Sequence, residues 1–356
     1  MRRKDFIIGG TAIALGGSLG GCSLFADPKR LRVLGLAGAV PSKVVKQFET
    51  RFSKPTELKA EATPEAIWKI LKATSEPDKI PDVASLGDAW LDLAIAQKLI
   101  SPIASIDEIS KQVPQWANLS PTWQQSATRN GQVWGIPYRY GVTAIAYRTD
   151  KVITPITSWS DLWRSELKGK ITVPDDAREV IGLVLKKLGY SYTTLNLKAI
   201  ATLKSDLQQL QSQLLFYTSD TYLQPLLIDD SWVAVGWSQD IIKAAQQNPD
   251  IAVVIPSEGT ALWTDMWVIP KKNSENQAFV QNWLNFYLEP AIANQIAALT
   301  FANATNADIN ALPNSVTSDP VKFPNPRILA KSELISPLPE PMQQEYLQMW
   351  ESLRKA

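Results

Sequence analysis

Histidine is absent from this chain and cysteine occurs once, at Cys22. Without imidazoles or a second thiol, the commonest zinc sites, the Ser-His-Asp and Cys-His catalytic pairs and any internal disulfide are excluded. An excess of charge of either sign is also lacking, because 36 Lys and Arg stand against 35 Asp and Glu. A chain so balanced has no electrostatic footprint for nucleic acid. Long apolar runs are missing too. Only the weakly apolar, Gly-rich stretch up to Leu19 comes near one, and it is shorter than the ~20 residues a membrane-spanning helix needs. No Gly-rich phosphate loop, internal repeat or low-complexity segment occurs.

What is present begins with Met1-Arg2-Arg3-Lys4-Asp5-Phe6-Ile7 and that apolar stretch, which together read as an export signal rather than as structure. The stretch ends in Leu19-Gly20-Gly21-Cys22-Ser23, which resembles the bacterial lipobox. A sole cysteine at this place reads as a lipid attachment site, against the weaker alternative of a buried free thiol. A diacylglycerol and a further acyl chain on Cys22 would anchor the protein firmly, since one chain alone does not. The paired arginines miss the twin-arginine spacing by one residue, so the export route stays open.

With 356 residues, 45% of them hydrophobic, the chain suits one large or two medium domains. After a short polar tether comes the strand-like Leu31-Arg32-Val33-Leu34-Gly35-Leu36. Pro41 then opens a helix with Val44, Val45, Phe48 and Phe52 on one face. Thr63 and Pro64 announce a second helix with Ile67, Ile70 and Leu71 inward, followed by a strand from Pro81 to Leu86. Strands are expected again at 170–173, 214–217, 232–236 and 251–255. Helices are expected from Ala177 to Leu188, stopped by Gly189, around 200–210, and over 277–288 and 291–299. This alternation argues an α/β fold with a largely parallel sheet. The extended segments Gly135–Tyr147 and Trp263–Ile269 are placed to cross between two lobes. The proline-rich stretch from Pro313 to Pro341 reads as a tail packed on the first lobe, ending in a helix.

In open α/β sheets ligands collect beyond the carboxyl ends of the strands. The residues that follow the expected strands include Asp88 and Trp90, Asp175, Asp176 and Glu179, Asp220, and Trp237 with Asp240, so acids and indoles recur while basic residues are scarce. In Trp263-Thr264-Asp265-Met266-Trp267, alternation puts Asp265 and two indoles on one face. Asp265 reads either as a ligand acid or as a residue that faces solvent or pairs with a nearby arginine. Asp176 and Glu179 precede an apolar helix as a near capping box, so they divide evenly between cap and ligand site. Carboxylates with indole faces suit an organic polyamine. A cation over a ring contributes roughly 0.5 to 2 kcal/mol, whereas a micromolar dissociation constant needs about 8 kcal/mol. The ligand must therefore be enclosed, with its methylenes buried at about 0.8 kcal/mol each.

The run Asp175-Asp176-Ala177-Arg178-Glu179-Val180 with Leu188-Gly189-Tyr190 closely resembles the spermidine/putrescine-binding proteins of polyamine ABC transporters. The likeness extends through Gly141-Val142-Thr143-Ala144-Ile145, Ser158-Trp159-Ser160-Asp161-Leu162-Trp163, Gly236-Trp237 and Glu258 to Asp265. It is strong from about Gly135 to Pro270 and weak outside. The resemblance implies a two-lobed type II periplasmic-binding-protein fold with hinge crossovers and an interlobe cleft. By the same likeness, Asp176 and Glu179 would hold amines, Trp237 and Trp263 would stack on the ligand, and Asp265 would take its other end. The first lobe departs from the family. Leu36, Ala37, Ala39, Gly87, Ala89 and Ala302 stand where aromatic or hydroxyl residues are expected, with Asp88 and Trp90 as candidate substitutes.

The expected organisation is an export signal over 1–21, a lipidated tether over 22–30, a first lobe over 31–140 plus 271–356, and a second lobe over 141–270. The expected role is delivery of a small cationic amine to an inner-membrane ABC permease, by a monomer held at the periplasmic membrane surface through its lipid, with no cofactor or metal. One alternative is the same fold retuned to another solute or to sensing. The other is an enzyme using Asp176 and Glu179, but neighbouring carboxylates on one helix do not flank a bond as glycoside hydrolysis requires.

Overall fold

The computed structural model describes residues 29–355 except 75, 77–78, 272–275, 301, 307–325 and 337. The expected export signal, Cys22 and most of the tether lie outside the described residues, as does the proline-rich stretch up to residue 325.

A first block runs β1 (Leu31–Leu36), α1 (Ser42–Phe52), β2 (Thr56–Glu61), α2 (Pro64–Ala73) and β3 (Val83–Gly87). The long β4 (Ile136–Arg148) leads into β5 (Ile171–Val173), α3 (Ala177–Lys187), α4 (Leu203–Gln213), β6 (Leu214–Tyr217), β7 (Val233–Trp237), α5 (Ser238–Gln247) and β8 (Ile251–Val254). The return strand β9 (Ala261–Pro270) precedes α6 (Gln277–Tyr287), α7 (Pro290–Thr300) and the closing helix α8 (Glu340–Arg354).

Local chemistry sets several of these bounds. The Thr63 hydroxyl accepts from the Ala66 N–H at 3.1 Å and Pro64 fills the first position of α2, so one orphan donor is satisfied and another removed. Helix α1 buries Val44, Val45 and Phe48 and ends at Ser53 in the left-handed region. Helix α3 stops where Gly189 takes φ +82°, a conformation that costs glycine nothing. Strand β2 was not foreseen. Its sequence Thr56-Glu57-Leu58-Lys59-Ala60-Glu61 is mostly polar because it forms one edge of the sheet.

The main sheet runs in the order β6-β5-β7-β4-β9-β3-β1-β2. β1 pairs in parallel with β2 and β3, and β5 with β6 and β7. The two long strands β4 and β9 are antiparallel to each other and to their neighbours, so the sheet is mixed. The first half of β4 pairs with β9, and its second half with β7 and β8. Both expected crossovers are thus adjacent strands in one continuous sheet.

The two largest apolar cores flank this spine. The first collects β1, β3, α1, α2, α6 and α7 around Phe48, Trp267, Trp283 and Tyr287. The second collects β5, β7, α3 and α4 around Trp159, Ile171, Val184 and Leu207. The expected division differs from this packing at two places. Met266, Trp267 and Val268 of β9 already belong to the first core, so the second lobe ends before 270. Helix α8, assigned by the sequence to the first lobe, packs Tyr346 and Leu353 into the second core instead. Trp350 meets Tyr217 edge-on at 5.0 Å, and Arg354 pairs with Asp175. Apolar stripes dock on whichever apolar surface is free, and α3 and α4 leave one. Among the described residues, no helix is long and apolar enough to cross a membrane.

Candidate functional site

The acids singled out from the sequence fall into two different situations. Asp176 ends its extended segment as the N-cap of α3, and its Oδ1 accepts from the N–H groups of Arg178 at 2.8 Å and Glu179 at 2.9 Å. This settles half of the capping question. Asp176 is a cap and is exposed, while Glu179 does not reach back to complete a box.

Glu179 instead points at β4, where the Thr143 hydroxyl stands 3.1 and 3.0 Å from its two oxygens. One hydroxyl has one proton to give, whereas a carboxylate can accept about four hydrogen bonds. Glu179 is 8% exposed and, among the described residues, makes no ion pair. Burial therefore pushes its carboxyl up to about 8, aided by the neighbouring Asp176 charge and, more weakly, by Asp88.

Asp88 follows β3 in the first lobe. Its Oδ1 receives a long 3.5 Å contact from the Thr264 N–H, nearby backbone N–H groups of residues 88 and 89 also favour its charged form, and no cation pairs with it among the described residues. Although one edge still meets solvent, the surrounding protein pushes this carboxyl up to about 7, with Asp265 adding to the rise. Asp88 and Glu179 thus come from different lobes yet feel each other's charge.

Asp265 is different. Arg139 of β4, 1% exposed, donates from Nε to Asp265 Oδ2 at 2.6 Å and from Nη1 to Gln239 Oε1 at 2.8 Å. Burial pushes the Asp265 carboxyl up and Arg139 pulls it back. A guanidinium does not give up its proton in a protein, so the pair is ionised. The contact depends on a bulge. Register along β9 runs Asp265 opposite Arg139 and then Met266 opposite Pro137, which skips Tyr138. Tyr138 and Arg139, sequence neighbours, then meet Trp267 and Asp265, two residues apart on β9. Bulges re-aim side chains in this way.

The indoles divide similarly. Trp263 lies with the Arg139 guanidinium 5.7 Å from its ring centre. Its ring is so close to Gly141 that a Cβ there would come within 2.1 Å of it, which explains a glycine in mid-strand. Trp237 is partly buried and meets Tyr222 edge-on at 5.4 Å. The Trp237 backbone N–H donates to the Tyr222 hydroxyl at 3.1 Å, and that hydroxyl lies 3.2 Å from Asp240 Oδ2. Trp237 is registered opposite Thr143, the residue that holds Glu179. Trp90 packs against Trp68 of α2 at 5.3 Å. Trp267 is a core residue stacked on Tyr138 at 4.7 Å, not a wall of the site.

The structure thus brings together Glu179, Thr143 and Trp237 at one end, Arg139, Asp265, Trp263 and Gln239 at the other, and Asp88 in electrostatic reach of both acids. Arg139, Thr143 and Gln239 were not singled out from the sequence. Of Asp88, Glu179 and Asp265, only Asp265 has an ion-pair partner among the described residues, and burial makes an unpaired charge on the other two costly. Among the described residues, no group of acids and thiols is arranged to hold a metal.

Residues 43–324 match the family model described as bacterial extracellular solute-binding protein. The spermidine/putrescine-binding periplasmic protein of Escherichia coli (strain K12) is 31% identical over 231 residues, 64% of this chain and 66% of that protein's length. The putrescine-binding periplasmic protein SpuD of Pseudomonas aeruginosa is 24% identical with 96% of each chain covered. In fold, the chain is similar to the crystal structure of the spermidine/putrescine ABC transporter substrate-binding protein PotD from Streptococcus pneumoniae. The TM-score is 0.79 at 22% identity, over 92% of this chain and 99% of that one. With its two cores joined by a pair of crossing strands and its acids gathered from both, this chain belongs to the bacterial extracellular solute-binding protein family.

Proposed function

We propose that this protein is the solute-capturing component of an ABC importer, that it binds a small organic polycation of the polyamine type between its lobes, and that it hands this cargo to an inner-membrane permease without transforming it. The observation that carries the reading is the uncompensated pair of carboxylates, Asp88 and Glu179, one from each lobe and each pushed toward neutrality. An ammonium group between them would restore their charge, and the Trp237 indole nearby would cover methylenes. The 31% identity to a spermidine/putrescine-binding periplasmic protein supports the same choice. We extend the proposal to a periplasmic location with a lipid on Cys22, motivated by the lipobox-like Leu19-Gly20-Gly21-Cys22.

The buried Arg139 favours one second reading, a solute with an acidic group in place of the second amine. Titration calorimetry of the mature chain separates the two. Saturable binding of putrescine, cadaverine or spermidine, with none of glutamate or 4-aminobutyrate, is the expected result. Binding of the carboxylate-bearing solutes alone would transfer the assignment to the second reading, and binding of neither group would remove both.

A further inference from the structure

We propose that Arg139 is a specificity-determining residue that occupies, from within the chain, the cation place formed by Asp265 and Trp263, so that the cleft takes a short diamine in preference to a longer triamine. The inference deepens the polyamine reading and rests on it.

Three observations carry it. The Arg139 side chain is 1% exposed, so it is a fixed part of the interior and not a surface group that happens to swing inward. It is held at two points, by Asp265 at 2.6 Å and Gln239 at 2.8 Å, and the bulge at Tyr138 aims it there. It also covers the ring of Trp263 at 5.7 Å. A carboxylate beside an indole face is the pair that receives an organic cation. Here both members already serve one.

Charge balance points the same way. Of Asp88, Glu179 and Asp265, only Asp265 has an ion pair among the described residues, with Arg139, while Arg178 acts on Glu179 and Arg139 on Asp240 only through their fields. Asp240 is held by the Tyr222 hydroxyl, and Asp176 is an exposed cap. Asp88 and Glu179, one per lobe, are left without an ion pair among the described residues, which matches a dication spanning from one to the other. A third ammonium at Asp265 would have to displace a guanidinium from a buried pair, leaving that cation buried without its carboxylate, which is strongly unfavourable.

The test compares putrescine, cadaverine and spermidine by titration calorimetry on the wild type, on Arg139→Met and on Arg139→Lys. The wild type is expected to bind a diamine at least tenfold more tightly than spermidine. Arg139→Met, which keeps an unbranched apolar stem but removes the guanidinium and frees Asp265, is expected to shift that ratio at least tenfold toward spermidine. Arg139→Lys, which keeps a cation at Asp265, retains the diamine preference. Tighter binding of spermidine than of either diamine by the wild type overturns the proposal whatever the variants do. An unchanged ratio in Arg139→Met overturns it as well, because a merely structural arginine would weaken all amines alike. Absence of any amine binding by the wild type removes the underlying polyamine reading together with this one, whereas amine binding with an insensitive ratio removes only the role of Arg139.

Discussion

The two ends of the site handle a buried carboxylate in opposite ways. At one end Asp265 is neutralised by the chain itself through Arg139, in a pair closed to solvent. At the other, Glu179 is hydrogen-bonded by the Thr143 hydroxyl and Asp88 by backbone N–H groups alone, and neither has an ion-pair partner among the described residues. The first arrangement is complete without a ligand and the second is not. Burying a charge is tolerated when it is paired and is otherwise answered by a raised pKa, which is what separates Asp265 from the other two. The difference locates the missing cation between Asp88 and Glu179.

The largest effect that can break this comparison is on folding stability. Asp265→Asn strips the buried guanidinium of its carboxylate and is expected to destabilise the protein by about 3 to 5 kcal/mol. Glu179→Gln replaces a carboxyl that burial already keeps largely protonated in the free protein, so no comparable loss is expected. Urea unfolding reads both as shifts in midpoint at constant slope. Similar losses from both variants would erase the distinction between the two ends.

A smaller effect is expected with pH. Asp88 and Glu179 titrate in the folded state near 7 and 8, against about 4 for unfolded carboxylates. The native state therefore binds more protons than the unfolded one, and stability falls as pH rises. The contribution of these groups is fully present below about pH 4 and is lost by about pH 8. The melting temperature of the ligand-free protein should fall between pH 5.5 and 8.5, less steeply in Glu179→Gln, and a bound diamine should offset the fall. A melting temperature that climbs over this interval would contradict the assignment.

Much of the architecture was legible because its signals are local. Thr63 with Pro64, Gly189, and the apolar periodicity of α1 and α3 each announce an element by chemistry within a few residues. The polar edge strand β2 gave no such signal, and α8 carried an apolar stripe without any indication of which lobe would receive it. In the site, the acids were found because they follow strands, and Asp176 and Glu179 could be separated only by seeing which one turns back to cap. Arg139 was not found. Strict alternation sends residues 138 and 139 to opposite faces, and only the bulge brings both against β9. A pairing irregularity of this kind depends on two strands more than a hundred residues apart, and no window of sequence contains it. The same strand pattern correctly placed Trp263 beside Asp265 but could not tell that Trp267, two residues on, had already entered the first core.

The most direct test of the central claim is the count of protons exchanged when an amine binds. Putrescine is titrated into the protein at pH 7 in buffers of different ionisation enthalpy, and the dependence of the heat on the buffer gives the number. If Asp88 and Glu179 are held largely protonated until a cation arrives, about one proton is released per amine bound, and Glu179→Gln lowers that number. Heat independent of the buffer, or proton uptake, would show that these carboxylates are already ionised in the free protein and that the missing cation lies elsewhere.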